Sequence, residues 1–169
     1  VQGSKVVTVP TAGKSKVIFT DQTVVKVKQW SAEQPNLYKI LFTLKTTTNK
    51  IIEIVPFRIG FRRTEFSTRE QDGVTYHVLL FNGKEILFKG ANIHEHNELT
   101  GHYVTEELHL KDIKLLKQNN FNALRFSHYP QSRKFYELCD LYGLYVVSEV
   151  NIESHGMGFS PEKTLANKP

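Results

Sequence analysis

Residues 121–152, FNALRFSHYPQSRKFYELCDLYGLYVVSEVNI, decide the fold of this chain. FNALRFS (121–127) and LYVVSEVNI (144–152) are short apolar runs typical of strands, and residues 131–142 between them predict a helix. Pro130 precedes that helix and Gly143 follows it, which are common start and stop signals. Its apolar positions recur at the i, i+3, i+4, i+7 spacing of one helix face: Phe135, Leu138, Cys139 and Tyr142. Together they predict a βαβ unit with parallel strands.

The residues upstream extend the same pattern. VTYHVLLFNGKEILFKGANI (74–93) holds two apolar runs joined at Asn82-Gly83, a dipeptide that favours a two-residue hairpin turn. Residues 105–119 carry apolar side chains among charged ones and predict a further helix. The order strand, helix, strand, helix, strand indicates a parallel sheet. Because Cys139 lies in the apolar stripe of the second helix, we expect a buried core thiol and not a nucleophile.

Residues 5 to about 66 have an all-β pattern. Short runs rich in β-branched and aromatic residues alternate there with Pro, Gly, Asp and Asn turns. The runs are KVVTV (5–9), KVIFT (16–20), TVVKVKQW (23–30), LYKILFTLK (37–45) and IIEIV (51–55). This style favours an immunoglobulin-like sandwich, although five runs fall short of the roughly seven strands of a whole domain.

Composition excludes few classes of protein. The 169 residues are 40% apolar and 23% charged, as in ordinary globular proteins, and no apolar run approaches the roughly 20 residues that span a bilayer. The opening VQGSKVV has neither a Met nor a signal-peptide layout, so we expect a piece of a longer protein and leave its compartment open between cytoplasm and periplasm. The single cysteine, Cys139, excludes an internal disulfide.

The formal charge of +5 is concentrated in the first half of the chain. Lys and Arg outnumber Asp and Glu by 12 to 6 in residues 1–73, whereas they number 10 against 11 in residues 74–169. Nucleic-acid binding is one interpretation of the basic half. Lys26 and Lys28 alternate with valines, however, as on the solvated face of a sheet, and no motif for reading bases is present. We therefore expect no nucleic-acid partner and no membrane.

Polar residues cluster after the carboxyl ends of the three predicted parallel strands. The first strand runs into His94-Glu95-His96-Asn97, the second carries Arg125 and is followed by His128-Tyr129, and the third is followed by Asn151, Glu153 and His155. On an extended chain the last three side chains would share one face. One terminal His is most often a surface residue, but three successive strands with such ends favour an active site.

A metal site is a further interpretation of these residues. His94-Glu95-His96 lacks the His-Glu-x-x-His spacing of a zinc protease helix, which weakens that alternative. Glu153 and His155 could share a cation instead. Ligand softness alone favours Zn or Mn there, because His is an unusual ligand for Mg.

Several long segments resemble bacterial β-galactosidases of glycoside hydrolase family 2. The resemblance rests on WSAEQPNLYKI (30–40), RIGFRRTEF (58–66), FNGKEILFKGANIHEHN (81–97), LKQNNFNALRFSHYP (116–130) and LCDLYGLYVVSEVNIESHGM (138–157). It implies a multidomain protein: residues 1–66 would form the C-terminal part of an immunoglobulin-like β-sandwich. Residues 67–169 would form the first βαβαβ portion of a (β/α)8 TIM barrel, the catalytic domain.

The resemblance also implies roles for single residues. His94 would contact the substrate and support the transition state, and Arg125 and His128 would shape the subsite for the galactosyl ring. Glu153 and His155 would be ligands of an active-site Mg²⁺, which replaces the choice of Zn or Mn, and a monovalent cation is a further candidate cofactor. Retaining glycosidases use two carboxylates about 5 Å apart. The family places both beyond Pro169, so no catalytic residue is expected here, and Glu95 and Glu149 receive no role.

The expected activity is hydrolysis of terminal β-D-galactosyl residues in β-galactosides such as lactose, by a full-length enzyme that is a homo-oligomer. The spelling Asn151-Ile152-Glu153-x-His155 favours this activity over the β-glucuronidase and β-mannosidase alternatives in the same family. A non-catalytic carbohydrate-binding or interaction module built on the β half is the alternative from another class. It would leave the polar loops of the βαβ half without a task.

Overall fold

A computed structural model describes residues 3–8, 12–19, 23–153 and 155, and these residues form eight strands in three sheets and two helices. In chain order the elements are β1 (Tyr38–Lys45), β2 (Ile51–Ile59), β3 (Thr64–Gln71), β4 (Val74–Phe81), β5 (Lys84–Glu85), β6 (Gly90–Ile93), α1 (Glu106–Gln118), β7 (Ala123–Phe126), α2 (Arg133–Tyr142) and β8 (Tyr145–Ser148). Neither helix is long and apolar enough to cross a membrane.

The last three strands form the predicted parallel sheet in the order β6-β7-β8, with α1 and α2 as the crossovers. Both helices have the caps that their sequences indicate. The side chains of Thr105 and Ser132 accept hydrogen bonds from backbone N–H groups in the first turns of α1 and α2. Gly143 ends α2 in the left-handed conformation at φ 76°. The two helices and the parallel order are therefore confirmed.

The main core lies between this sheet and its helices. Leu124 and Phe126 alternate along β7 and point to the helices, where Phe126 stacks on Phe135 of α2 with ring centroids 4.9 Å apart. The buried members of this cluster are Ile113, Leu124, Phe126, Phe135, Leu138, Cys139 and Leu144. Cys139 is 1% exposed and burial raises its pKa to about 12, which confirms the prediction of a buried and unreactive thiol.

A second, aromatic cluster ties the segment 30–36 to the other face of the sheet. Trp30 is 2% exposed, meets Phe81 and Tyr145 edge-to-face, and donates its indole N–H to the backbone oxygen of Asp140 at 2.7 Å. Lys117 Nζ donates to the backbone oxygens of Ala32 and Gly143 at 3.0 and 2.9 Å. Segment 30–36 is thus anchored to α1, α2 and β8, and we call it the anchor segment.

Two antiparallel sheets precede the parallel one. β1 pairs with β2, and β3, β4 and β5 form a meander. Asn82 and Gly83 have φ values of 52° and 77°, both positive as the hairpin turn requires, so the predicted turn is confirmed. A second such turn at Asp72-Gly73 joins β3 to β4, although β3 was not predicted. The predicted domain boundary at residue 66 falls inside β3.

Three of the five predicted β runs are not strands where the structure describes them. Residues 5–8, 16–19 and 23–29 lie in KVVTV, KVIFT and TVVKVKQW and form no strand, whereas the two later runs are β1 and β2. A β-branched sequence becomes a strand only where a neighbour supplies hydrogen bonds. No described residue pairs with these three segments as a strand, and Val6 is 97% exposed. Local propensity therefore overestimated the strand content.

Candidate active site

The side chains predicted as a site meet beyond the carboxyl ends of β6, β7 and β8. His94 directly follows β6, and His128 lies two residues beyond the end of β7. Their rings meet edge-to-face with centroids 5.3 Å apart. Nδ1 of His128 lies 3.4 Å from a carboxylate oxygen of Glu153, in the segment after β8. The three strand ends thus bring two imidazoles and a carboxylate into one cluster.

Arg125 joins this cluster through Glu149, the first residue after β8. The Arg125 Nε–H and Nη2–H groups both contact Oε1 of Glu149, and Nδ1 of His128 lies 3.1 Å from Oε2 of the same carboxylate. Each oxygen of Glu149 therefore serves one of the two residues predicted to shape the sugar subsite. A carboxylate that accepts from a guanidinium and an imidazole makes strong, charge-assisted hydrogen bonds.

The Glu149 carboxyl group is ionised at neutral pH. Partial burial would raise its pKa, but the hydrogen bonds and positive charges of Arg125 and His128 outweigh burial and hold the pKa below its usual range. The side chain is 27% exposed. Glu149 is therefore a fixed negative charge between two hydrogen-bond donors, which suits an orienting group and does not suit a general acid, whose pKa must be raised.

The predicted strand face of Asn151, Glu153 and His155 is wrong. β8 ends at Ser148, the chain bends at Asn151, and the backbone N–H of Ile152 donates to the oxygen of Val150 at 2.7 Å, so side chains do not alternate there as in a strand. The strand ends there because no strand among the described residues pairs with the polar loop that follows. Glu153 and His155 are still neighbours, since Oε1 of Glu153 accepts from the His155 backbone N–H at 2.8 Å.

The residues near Glu153 fit a Mg²⁺ ion that takes few of its ligands from this chain's described residues. No group of three or more His, Cys, Asp or Glu residues that could hold a metal occurs within the described part of the chain. Among the described residues, the expected ligands remain the predicted pair, Glu153 and His155. Mg²⁺ is commonly bound through one or two carboxylates while it keeps several waters, so an exposed carboxylate with one neighbour fits such a site. Glu153 meets that condition, with a side chain 47% exposed.

The loop that carries His94 is held by residues for which no role was predicted. Asn97 and Gly101 exchange backbone hydrogen bonds of 2.8 and 2.9 Å, which closes the loop on itself. His102 Nδ1 donates to the Glu95 backbone oxygen at 2.7 Å, and the Glu95 N–H donates to the Tyr129 hydroxyl at 3.2 Å. Tyr129 follows His128 in the loop after β7. The loops after β6 and β7 are thus fastened together beside His94.

Glu149, for which no role was predicted, lies between Arg125 and His128 at the centre of the cluster. A signal for it existed in the register of the parallel strands. Arg125 pairs with Val147, and the residue two positions further along the chain, just past the end of β8, faces the same side as Val147, which brings Glu149 to Arg125. An alignment of the apolar residues of β7 and β8 would have predicted the contact between Arg125 and Glu149.

A parallel βαβαβ unit that gathers imidazole, guanidinium and carboxylate groups at the carboxyl ends of its strands belongs to the α/β class, in which active sites occupy that end. Residues 73–167 match the family described as "Glycosyl hydrolases family 2, TIM barrel domain", and residues 1–62 match "Glycosyl hydrolases family 2". The chain belongs to glycosyl hydrolase family 2.

Similar proteins carry two activities in their names. A β-galactosidase of Alteromonas mediterranea is 46% identical over 145 residues, which are 86% of this chain and 13% of the relative. A β-galactosidase of Streptococcus thermophilus is 48% identical over 132 residues, 78% of this chain and 12% of that protein. The structure of Bifidobacterium dentium β-glucuronidase complexed with coumarin-3-O-glucuronide superimposes with a TM-score of 0.65 at 30% identity, covering 73% of this chain and 19% of that one. The chain spans about an eighth of the length of these β-galactosidases.

Proposed function

We propose that this chain is the segment of a retaining β-galactosidase that forms part of its galactosyl subsite and part of its Mg²⁺ site. The observation that carries the proposal is the meeting of His94, Arg125 and His128 at the carboxyl ends of β6 and β7, beside the carboxylates that follow β8. It is supported by the 46% and 48% identity to proteins named β-galactosidases. The substrate is a β-galactoside, and nucleic acid and membrane have no part in it.

The three side chains suit recognition of a sugar ring by hydrogen bonds. One N–H group each of Nε and Nη2 of Arg125 contacts Glu149, which leaves three N–H groups for sugar hydroxyls, two on Nη1 and one on Nη2. The imidazoles of His94 and His128 each offer a ring nitrogen that can donate or accept. Their polar atoms lie at strand ends that a rigid sheet holds in place, so little freedom is lost when a sugar binds.

Glu153 and His155 are the residues that would hold Mg²⁺ in this proposal. The bound ion would supply positive charge beside the reacting carboxylates. Glu153 also lies 3.4 Å from Nδ1 of His128, so the metal residue and the sugar residue are neighbours. Loss of the Glu153 charge should therefore disturb both the ion and the subsite.

The two carboxylates in the cluster do not form a catalytic pair. Glu149 and Glu153 both approach the same nitrogen of His128, at 3.1 and 3.4 Å, and no sugar could stand between them without displacing that ring. A retaining glycosidase also needs one carboxyl with a raised pKa as its acid, whereas the pKa of Glu149 is lowered. We therefore propose that the acid/base and the nucleophile come from outside these 169 residues.

The finer architecture belongs to the same proposal. β6, α1, β7, α2 and β8 would be the first three strands and two helices of the (β/α)8 barrel. β1 and β2 would belong to the end of an immunoglobulin-like sandwich, with the domain boundary near residue 66. β-Glucuronidase is the second candidate, because a structure with that name shares the fold at 30% identity. The whole enzyme would be a homo-oligomer.

A segment exchange tests the proposal. In the Streptococcus thermophilus β-galactosidase, the stretch that matches this chain over 132 residues is replaced by the residues of this chain. This exchange variant, called the chimera below, should hydrolyse a chromogenic β-galactoside and not the matching β-glucuronide. The 169-residue chain alone should hydrolyse neither, because it lacks the carboxylate pair.

Two further variants guard this test. A shorter chimera carries only residues 84–153, so that a clash outside the site does not decide the outcome. Glu153→Gln in the chimera should lower activity and weaken its dependence on added Mg²⁺ together. Folded but inactive chimeras, or chimeras that never fold, would contradict the proposal, because a segment that cannot fit this scaffold cannot serve its site.

A further inference from the structure

We propose that Glu149 is a positioning residue that fixes Arg125 and His128 for the galactosyl ring; this inference rests on the proposed function. The geometry points to it because both carboxylate oxygens are used, Oε1 by Arg125 and Oε2 by His128. Glu149 would act on the sugar only through these two side chains.

Arg125 depends on such a partner for its orientation. The Arg side chain has four rotatable bonds, and holding it in one orientation costs rotamer entropy. Arg125 lies on β7 in the row Asn92-Arg125-Val147 across the parallel sheet. Glu149 follows two residues after Val147 and therefore lies on the same side of the sheet as Val147 and Arg125, just beyond the end of β8. Two donors of Arg125 on one carboxylate oxygen fix the guanidinium, so its remaining donors keep one direction.

His128 depends on the same carboxylate for its tautomer. Nδ1 lies 3.1 Å from an acceptor that has no proton to give, so Nδ1 carries the hydrogen and donates it. When the ring is neutral, the other ring nitrogen, Nε2, is then a hydrogen-bond acceptor. A carboxylate behind an imidazole fixes both the tautomer and the orientation of the ring, as in histidine sites with a hydrogen-bonded second partner.

Glu153 does not make Glu149 redundant. It approaches His128 at the longer distance of 3.4 Å, and among the described residues no ion pair joins it to Arg125, whereas Glu149 contacts both side chains. Glu153 is also more exposed, at 47% against 27% for Glu149. Glu149 can therefore hold the subsite whatever Glu153 binds.

The test compares three variants in the chimera. Glu149→Gln removes the charge at nearly constant shape, and Glu149→Asp keeps the charge with a shorter reach. Glu137→Gln is the matched control, because Glu137 forms an Arg–Glu pair with Arg133 at 3.1 Å on the exposed side of α2. The probe is a non-hydrolysable alkyl β-D-thiogalactoside, whose inhibition constant is measured beside kcat and KM.

We expect Glu149→Gln to weaken thiogalactoside binding and to lower kcat/KM, each about 10- to 100-fold, as small misplacements of binding groups do. The loss should be equal for β-galactosides with different leaving groups, because Arg125 and His128 are proposed to contact the galactosyl side. The inhibition constant and kcat/KM of Glu149→Asp should be closer to those of the parent chimera than the values of Glu149→Gln are. Both values should be unchanged in Glu137→Gln.

The outcomes separate this inference from the proposed function. If Glu149→Gln only reduces the folded fraction, kcat per total protein falls while KM and the inhibition constant stay unchanged, and the positioning role is wrong. An unchanged inhibition constant in an active parent chimera overturns this inference and leaves the proposed function standing. An inactive parent chimera overturns the proposed function itself.

Discussion

The β1–β2 hairpin and the β6–β8 unit contain similar amounts of apolar sequence but bury it differently. Every residue of β1 and β2 is exposed, including eleven large apolar side chains: Tyr38, Ile40, Leu41, Phe42, Leu44, Ile51, Ile52, Ile54, Val55, Phe57 and Ile59. In β7, by contrast, Ala123, Leu124 and Phe126 are at most 4% exposed. Among the described residues, the hairpin has strand hydrogen bonds but no buried side chain, whereas the parallel unit has both hydrogen bonds and a buried core.

The difference shows what each kind of strand needs. The crossover helices of a parallel unit come with the strands along the chain, so α1 and α2 cover one face of β6, β7 and β8 without any further partner. An antiparallel hairpin forms locally but must find a second layer elsewhere before its apolar faces are buried. The parallel unit is therefore the stable part of this chain.

The largest expected effect of this contrast is self-association of the 169-residue chain, driven by the exposed hairpin. Sedimentation should show oligomers. Leu41→Lys combined with Ile52→Lys should shift the chain towards monomer, because charges on an apolar sheet face oppose pairing. Leu115→Lys is the matched control, since Leu115 on α1 is 58% exposed, as is Leu41. A monomeric parent chain, or an equal shift towards monomer in Leu115→Lys, would show that the hairpin does not drive self-association.

A smaller effect compares one phenylalanine from each region. Phe135→Ala removes a fully buried ring that stacks on Phe126 and should lower the free energy of unfolding by about 3–5 kcal/mol. Phe57→Ala removes a ring that is 45% exposed and should cost at most about 1 kcal/mol. Urea unfolding at low protein concentration, followed by the fluorescence of the single tryptophan Trp30, measures both. Equal losses would mean that the hairpin carries as much core as the parallel unit.

The sequence was sufficient where local signals and long-range packing agree. The apolar stripe, Ser132 cap and Gly143 stop of α2 all act within the helix, and the Asn82-Gly83 turn requires only two residues with positive φ. It was insufficient for KVVTV and KVIFT, whose strand propensity depends on partners that the chain does not supply among its described residues. Of the site, His94, Arg125 and His128 were predictable as residues at strand ends, whereas Glu149 depends on register.

The anchor segment gives a third comparison, between two glycines with nearly the same backbone. Gly143 has φ 76° and a Cβ there would lie 2.3 Å from the Ala32 backbone oxygen, whereas Gly73 has φ 74° and nothing within 4 Å. Gly73→Ala should cost about 1–2 kcal/mol from the left-handed conformation alone. Gly143→Ala should cost about 1 kcal/mol more, because the anchor segment must move. Urea unfolding checks both, and equal costs would mean that the segment is not held against Gly143.

The smallest expected effect concerns pH and the buried His109 of α1. Burial lowers the pKa of His109 below its ordinary 6.5, against the opposing charges of Glu95 and Asp112. Below pH 6.5 the unfolded chain therefore binds a proton that the folded chain does not. The free energy of unfolding should keep its full value above pH 6.5 and decrease as the pH falls below it. Burial raises the pKa of Asp112, so at lower pH this residue has the opposite effect and the free energy of unfolding increases as Asp112 takes up its proton.

His109→Leu should remove this loss of stability between pH 6.5 and pH 5. It should also cost little at neutral pH, because neither ring nitrogen has a hydrogen-bond partner within the described residues. Thermal unfolding across that pH range measures the effect, and His77→Gln on the exposed part of β4 is the control. If the stability of His109→Leu depended on pH between 6.5 and 5 as steeply as that of the parent, another group would be the cause of the dependence.

The most direct measurement for the proposed subsite is a crystal structure of the chimera with a bound alkyl β-D-thiogalactoside. We expect the galactosyl hydroxyls to lie within about 3 Å of donors or acceptors on His94, Arg125 or His128, with Glu149 still bridging the last two. A ligand seated elsewhere, with these side chains touching only solvent and protein, would contradict the assignment of the strand ends of β6, β7 and β8 to sugar binding.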